Sequence, residues 1–306
     1  AKPTIMTAVP RFYQNLYNKI NLNFNKEEGI KKILIDETLN LGKKILNNQI
    51  LSFKEKIINF FCEHLVRRKI RKQFGGNIKA FISGGGALDQ NIGEFLNAIG
   101  LPTLQGYGLT EASPVVSCNL PGRIKVDTVG PAFKTNKIRI AEDGEILIKG
   151  ENVMLGYWNK EEETKKVIKN SWLYTGDVGE IDKDGFLKIT DRKKDLIVNF
   201  GGDNISPVKI ENLLCLNQNI KQSFVYGDNK NYLVAILVAE KNYATQDLIA
   251  KYIDNLNKKL SAIEKVKKYF VTDNQFTIEN RMLTPTLKLK RKEIIKNYLK
   301  QIENLY

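Results

Sequence analysis

Histidine and cysteine are scarce in this chain: one histidine, His64, and three cysteines, Cys62, Cys118 and Cys215, in 306 residues. A catalytic triad built on histidine and a zinc site drawing on cysteine and histidine therefore have little to work with. The cysteines are too few and too scattered for a disulfide framework, and are read as reduced thiols packed in the core. His64 is read as a surface or helix-face residue. No apolar run approaches the roughly 18 residues that a membrane-spanning helix needs, and the opening Ala1–Pro10 is not a signal peptide. The cytoplasm is the expected compartment, with peripheral contact to a membrane left open.

The hydrophobic fraction of 42% suits a chain that folds around a core of one large or two ordinary domains. Its formal charge of +14 suits phosphate-bearing ligands or anionic surfaces. The lysines are spread along the whole length rather than gathered in one stripe, and only Lys288–Lys292 forms a local cluster. No nucleic-acid partner is expected, because such binding uses a concentrated basic face.

From Arg11 to Phe74 apolar residues recur at intervals of three and four, predicting helices with a buried stripe that includes Ile30, Ile33 and Leu34, then Ile57, Ile58, Phe61 and Leu65. Ile78–Ser83 next reads as a short strand, Gly84-Gly85-Gly86 as a tight turn, Asp89–Ile99 as a helix stopped by Gly100, and Thr103–Gln105 as a second strand ending at Gly106-Tyr107-Gly108. That is a βαβ unit, whose parallel strands bring both glycine-rich segments to the edge where α/β sheets bind ligands. Asp143-Gly144 and Asp184-Gly185 predict hairpins. After a charged break at Asp191–Asp195 a small α/β module is predicted, with a strand near Leu196–Asn199, a helix opened by Ser206 and Pro207, and a strand pair at Gln222–Tyr226 and Tyr232–Ala239. The expected domains are 1–190 and 191–306.

Five stretches carry a resemblance: Ser83–Ala87, Gln105-Gly-Tyr-Gly-Leu-Thr-Glu111, Gly144–Gly150, Trp172-Leu-Tyr-Thr-Gly-Asp177, and Asp191–Ile197 followed by Gly201-Gly202. In this order and spacing the chain resembles the adenylate-forming enzymes, and Asp-Arg-Lys-Lys-Asp with Asn-Ile-Ser-Pro resembles their long-chain fatty acyl-CoA synthetase branch. The resemblance covers most of the chain. It implies an α/β fold: the C-terminal part of the large AMP-binding domain, a βαβ unit plus β-hairpins, followed by a small mobile C-terminal domain. Implied with it are the substrates ATP, a long-chain fatty acid and coenzyme A, the product AMP, and Mg²⁺.

By the same resemblance, Gly84, Gly85, Gly86 and Ala87 lie along the adenine, Gln105, Gly106, Tyr107 and Gly108 border the base with Tyr107 stacking near it, and Thr110 offers its hydroxyl to the α-phosphate. Glu111 is the implied magnesium ligand, its hard oxygen suiting that ion. Thr110 and Glu111 could instead simply cap a helix. Asp177, read at a strand end, accepts the ribose hydroxyls, in contrast to Asp184 in its ordinary Asp-Gly turn. Arg192 reaches ribose or phosphate, Lys194 is the hinge on which the C-terminal domain swings, and Gly201 and Gly202 approach the pantetheine arm of CoA.

The catalytic lysine falls within Leu283–Arg291, which lacks the glycine of the family pattern: matching the downstream Arg-Lys-Glu selects Lys288, whereas matching Thr286 selects Lys290, and Lys288 is preferred. The family's Ser/Thr/Gly-rich triphosphate loop ending in Pro-Lys-Gly is found nowhere in the 306 residues. The expectation is thus a piece of a longer ligase, missing an N-terminal region and inactive alone. Rival readings are a synthetase that uses another acid or an acyl carrier protein, and a degenerate fragment that binds nucleotide without turnover.

Overall fold

The computed structural model describes residues 2–240, 243–285 and 287–306. The chain divides into two compact units, Ala1–Thr190 and Asp191–Tyr306.

In the first unit, strand β1 (Ile5–Ala8) leads into helices α1 (Pro10–Phe24), α2 (Gly29–Leu46) and α3 (Phe53–Cys62). α3 continues through one π turn, Glu63–Arg67, into α4 (Arg68–Gln73). Ser52 starts α3 with a capping box: its hydroxyl accepts from the Glu55 amide, and the Glu55 carboxylate accepts from the Ser52 amide. Lys44 and then Ser52 hold the Glu55 carboxyl down to about 2. Strand β2 (Ala80–Ser83), helix α5 (Gln90–Ala98, capped by Asp89) and strand β3 (Thr103–Gly108) form the expected βαβ unit. β1, β2 and β3 are parallel, and β4 (Val115–Cys118) closes the sheet antiparallel to β3.

The apolar periodicity located these helices but selected the wrong face. Ile30 is 84% exposed, and Ile33, Ile57, Phe61 and Leu65 are exposed as well, whereas Leu34 and Ile58 are partly buried. The core takes Ile35, Thr38, Leu41 and Gly42 from α2, and Cys62, Val66 and Ile70 from α3 and its continuation. Buried among them, the Arg67 guanidinium donates to the Ala98 carbonyl (2.8 Å), the Thr38 carbonyl (3.1 Å) and Asn59 Oδ1 (2.7 Å), joining three helices. Arg67→Met strands those carbonyls without donors, so a loss of about 2–4 kcal/mol in urea unfolding is expected. Arg68→Met, at an exposed neighbour, should shift stability by less than about 0.5 kcal/mol.

A second sheet follows: β5 (Asn136–Ile140), β6 (Glu145–Gly150), β7 (Ile168–Lys169), β8 (Trp172–Ile181) and β9 (Leu187–Arg192), with the short helix α6 (Glu161–Val167) before β7. Both Asp-Gly turns join antiparallel neighbours, β5 to β6 and β8 to β9. Ile146, Ile148, Leu173 and Leu187 pack on Tyr107, Ala112 and Val116, which fixes this sheet against the end of β3.

The second unit holds the hairpin β10 (Ile197–Val198) and β11 (Asn204–Ile205), then α7 (Pro207–Leu214), β12 (Gln222–Tyr226), β13 (Leu233–Val238), α8 (Tyr243–Asn257), β14 (Val266–Thr272) and α9 (Arg291–Glu303). Ser206 caps α7, accepting from the Lys209 amide, and Pro207 opens it. β13 pairs antiparallel with β12 and parallel with β14. Side chains alternate along β13, as strand geometry requires. Leu233, Ala235 and Leu237 share a core with α7 and α8, whereas Val234, Ile236 and Val238 share one with α9. Cys62 is buried and the other cysteines are partly buried; all three are free thiols.

Candidate nucleotide site

Ser83 and Gln105 are register partners in the parallel pair β2 and β3, so Gly84–Gly86, which follow β2, and Gly106–Gly108, which end β3 and pair with β4, lie at the same end of the two strands. β3 runs on through Gly108, beyond the expected stop at Gln105. Gln105 is buried and holds the turn that follows the glycines: its Oε1 accepts from the Leu88 amide (3.1 Å), and its Nε2 donates to the Val126 carbonyl.

Gly108 is required by close packing. A Cβ there would stand 1.7 Å from the Pro114 carbonyl oxygen, because the chain doubles back after a single 3₁₀ turn, Thr110–Ala112. Leu109 precedes that turn and no side chain caps it, so Thr110 does not act as a cap; it is exposed. Ser113 then takes the left-handed φ of 46° that permits the reversal.

Asp177 does not end a strand, contrary to expectation. Glu145 pairs with Val178 and Leu147 with Tyr174, so β8 carries a bulge at Thr175-Gly176-Asp177. Gly176 adopts φ 72°, open to glycine and strained for other residues. The bulge is pinned from β6: Thr175 Oγ1 donates to the Ile146 carbonyl (2.7 Å), and the Gly176 amide donates to Glu145 Oε1 (2.8 Å). A bulge re-aims side chains, and this one brings Asp177, 9% exposed, to Tyr107, whose hydroxyl donates to Asp177 Oδ2 at 2.7 Å. The Tyr107 ring lies within the core shared with Ile146 and Ile148.

Three bonds from the loop after β6 hold the Thr110–Ala112 turn. Asn152 Nδ2 donates to the Ala112 carbonyl (2.8 Å), the Met154 amide to the Glu111 carbonyl (2.8 Å), and the Tyr157 hydroxyl to Glu111 Oε1 (2.9 Å). Burial and then the Glu111 carboxylate push the Tyr157 hydroxyl up, so it stays a donor. Sequence reasoning missed Asn152 and Tyr157. The available signal was the Gly156-Tyr157 pair just past the Gly144–Gly150 stretch.

Arg192, Lys194, Gly201, Gly202 and Lys288 belong to the second unit. Arg192 closes β9, and its carbonyl accepts from the Asp195 and Leu196 amides, forming the turn that carries exposed Lys194. Burial raises the neighbouring Asp191 carboxyl, which Ser206 and the Arg192 amide partly offset. Gly201 and Gly202 sit exposed between β10 and β11, in a loop closed by Asn199, whose Oδ1 accepts from the Asp203 amide (2.8 Å).

Lys288 is exposed in a tight reversal with Leu287 at φ 62°. Its amide donates to Thr284 Oγ1 (3.0 Å), and its carbonyl accepts from the Thr284 amide (2.8 Å). Thr286, on which the Lys290 register rests, lies outside the described residues. Arg291, one residue after Lys290, grips buried Glu211 through two bonds of 2.8 and 2.7 Å, and Glu211 also accepts from the Val225 amide (2.8 Å), fixing the start of α9.

With its two glycine segments at the ends of β2 and β3, a buried carboxylate aimed by a bulge and a second, smaller α/β unit, the chain has the α/β fold of adenylation domains. The chain belongs to the AMP-binding enzyme family: residues 1–158 match the AMP-binding enzyme model, and residues 194–306 match the AMP-binding enzyme C-terminal domain. It is similar to long-chain-fatty-acid–CoA ligase FadD15 of Mycobacterium bovis, 33% identical over all of this chain and 55% of that protein. It is similar too to long-chain-fatty-acid–CoA ligase 5 of Mus musculus, 32% identical over all of this chain and 49% of that protein. The chain thus spans about half the length of the curated relatives it matches. Among solved structures, the adenylation domain of a carboxylate reductase from Mycobacterium chelonae shares the fold at TM-score 0.74 and 22% identity, over 100% of this chain and 47% of its own. The o-succinylbenzoate CoA synthetase of Bacillus subtilis, solved with an acyl-adenylate, matches at TM-score 0.61 and 29% identity, over 71% of this chain and 46% of its own.

Proposed function

We propose that this chain is the AMP-handling C-terminal part of a long-chain fatty acid–CoA ligase, which forms an acyl-adenylate from ATP and a fatty acid and then transfers the acyl group to CoA. The observation that supports this is the Tyr107–Asp177 bond, which holds a buried carboxylate beside the end of β3.

In this reading Gly84–Ala87 and Gln105–Gly108 admit the adenine, Asp177 accepts from the ribose hydroxyls, Arg192 adds donors to ribose or phosphate, and Thr110 donates to the α-phosphate. Tyr107 orients Asp177 through its hydroxyl, and the family pattern adds stacking on the base. Lys288 offsets the charge that grows as the carboxylate attacks the α-phosphate. Lys194 is the pivot between half-reactions, and Gly201 and Gly202 let the backbone come close to pantetheine.

Glu111 fits magnesium: it offers one partly buried carboxylate with one oxygen already held by Tyr157. Among the described residues no group of three or more His, Cys, Asp or Glu forms a ligand cage. Magnesium, which favours one or two carboxylates plus waters and substrate phosphates, would neutralise phosphate charge there. No described helix is long and apolar enough to cross a membrane, and contact with a membrane surface is part of the proposal.

The ribose assignment is tested by AMP titration. Asp177→Ala removes charge-assisted hydrogen bonds worth about 1.5–3 kcal/mol, so affinity should fall roughly tenfold to a hundredfold. Unchanged affinity would mean that Asp177 does not hold the ribose.

A further inference from the structure

One loop grips Glu111 at both ends. The Met154 amide donates to the Glu111 carbonyl (2.8 Å), and the Tyr157 hydroxyl donates to Glu111 Oε1 (2.9 Å). The tyrosine is itself set from α6: the Tyr157 amide donates to Thr164 Oγ1 (2.9 Å), and the Thr164 hydroxyl donates to the Lys160 carbonyl (3.0 Å). A Cβ on Gly156 would stand 2.8 Å from Thr164 Cγ2, so glycine lets the loop lie this close to the helix. The Tyr157 ring is partly buried, and its hydroxyl keeps its proton because burial and then the Glu111 charge oppose ionisation.

The Glu111 carboxylate is therefore unsymmetrical. Oε1 has a fixed donor, whereas none of the described residues bonds to Oε2. Glu163, the other carboxylate whose charge reaches Tyr157, is paired with Lys166 (2.6 Å). A cation at Glu111 thus meets one open oxygen, and to take both it must share Oε1 with the phenol or displace it. Magnesium suits that arrangement: small and octahedral, it accepts single carboxylate oxygens and completes its shell with waters and phosphate. Calcium is larger, takes more oxygens and often draws both from one carboxylate. The two ions differ in the feature that Tyr157 controls.

We infer that Tyr157 is a positioning residue that restricts Glu111 to one-oxygen ligation and so sets the preference of the site for magnesium over calcium. This role rests on the proposed metal binding by Glu111 and extends it to the choice of metal.

The experiment is calorimetric titration of ATP into the 306-residue chain without divalent ion, with Mg²⁺ and with Ca²⁺, using three forms: unsubstituted, Tyr157→Phe and Glu111→Gln. The quantity read is the ratio of magnesium-supported to calcium-supported affinity within each form. A general loosening of the loop weakens both alike and cancels, and the affinities of the two ions for free ATP cancel between forms. Both ions should strengthen ATP binding to the unsubstituted chain, magnesium more. Tyr157→Phe keeps the ring and removes only the donor, so the ratio should fall about tenfold, the scale of one hydrogen bond to a charged group, chiefly by a gain with calcium. An unchanged ratio, or a loss by the same factor with both ions, makes Tyr157 structural and overturns the inference. Glu111→Gln separates that failure from failure of the assignment beneath it, since the metal-dependent gain should there vanish with both ions. If the gain survives in Glu111→Gln, or the unsubstituted chain shows none, Glu111 is not the metal ligand and the role of Tyr157 falls with it, while the ribose assignment is judged separately by AMP titration.

Discussion

Given ATP, magnesium, a long-chain fatty acid and CoA, the purified 306-residue chain should release no acyl-CoA, while still binding AMP through Asp177. The two outcomes separate because the proposed site divides unequally. In the proposed site the adenine is met by residues after β2 and on β3 and the ribose by Asp177 on β8, all within the first unit, and only Arg192 comes from the second. The Ser/Thr/Gly-rich loop with which the family holds the outer phosphates has no counterpart in the sequence. Without it the α-phosphate is not held in line with the attacking carboxylate. Effective molarity from such positioning accounts for about 7–11 kcal/mol of a barrier in well-oriented reactions, and removal of one preorganised donor alone costs about a hundredfold or more. Product should therefore lie below detection by thioester chromatography. Acyl-CoA made by chain free of host synthetases would show that other residues grip the triphosphate.

What the sequence disclosed depended on how local the cause was. Gly84–Gly86, Asp143-Gly144 and Ser206-Pro207 act within a few residues of themselves, and the elements they predict are present. Helical periodicity is also local, but it reports that a helix has an apolar face and not which face meets the core. With two such faces on α3 the more obvious stripe, Ile57, Phe61 and Leu65, proved to be the outer one. Asp177 was recognisable by its motif, yet the bulge that aims it appears only when β6 pairs with β8. Tyr157 lay furthest from view, since its bond to Glu111 joins residues 46 apart and no short pattern encodes it.

The second unit should reveal its role through half-reactions, measured in a longer protein that joins this chain to the triphosphate loop. Lys288→Ala is expected to slow pyrophosphate exchange about a hundredfold to a thousandfold, the usual cost of one missing electrostatic stabiliser. It should leave thioester formation from supplied acyl-adenylate near its original rate. The anchored start of α9 makes the comparison clean: Arg291 is tied to Glu211 and the Lys290 amide donates to the Met282 carbonyl, so truncating an exposed Lys288 side chain should not disturb the fold. Lys194→Pro should give the opposite split. Proline fixes φ at the proposed pivot, so adenylation persists while transfer to CoA, which needs the other arrangement, fails. If Lys290→Ala produces the adenylation defect instead, the register of the lysine loop shifts by two residues; if Lys194→Pro lowers both half-reactions equally, Lys194 is structural and the pivot lies elsewhere.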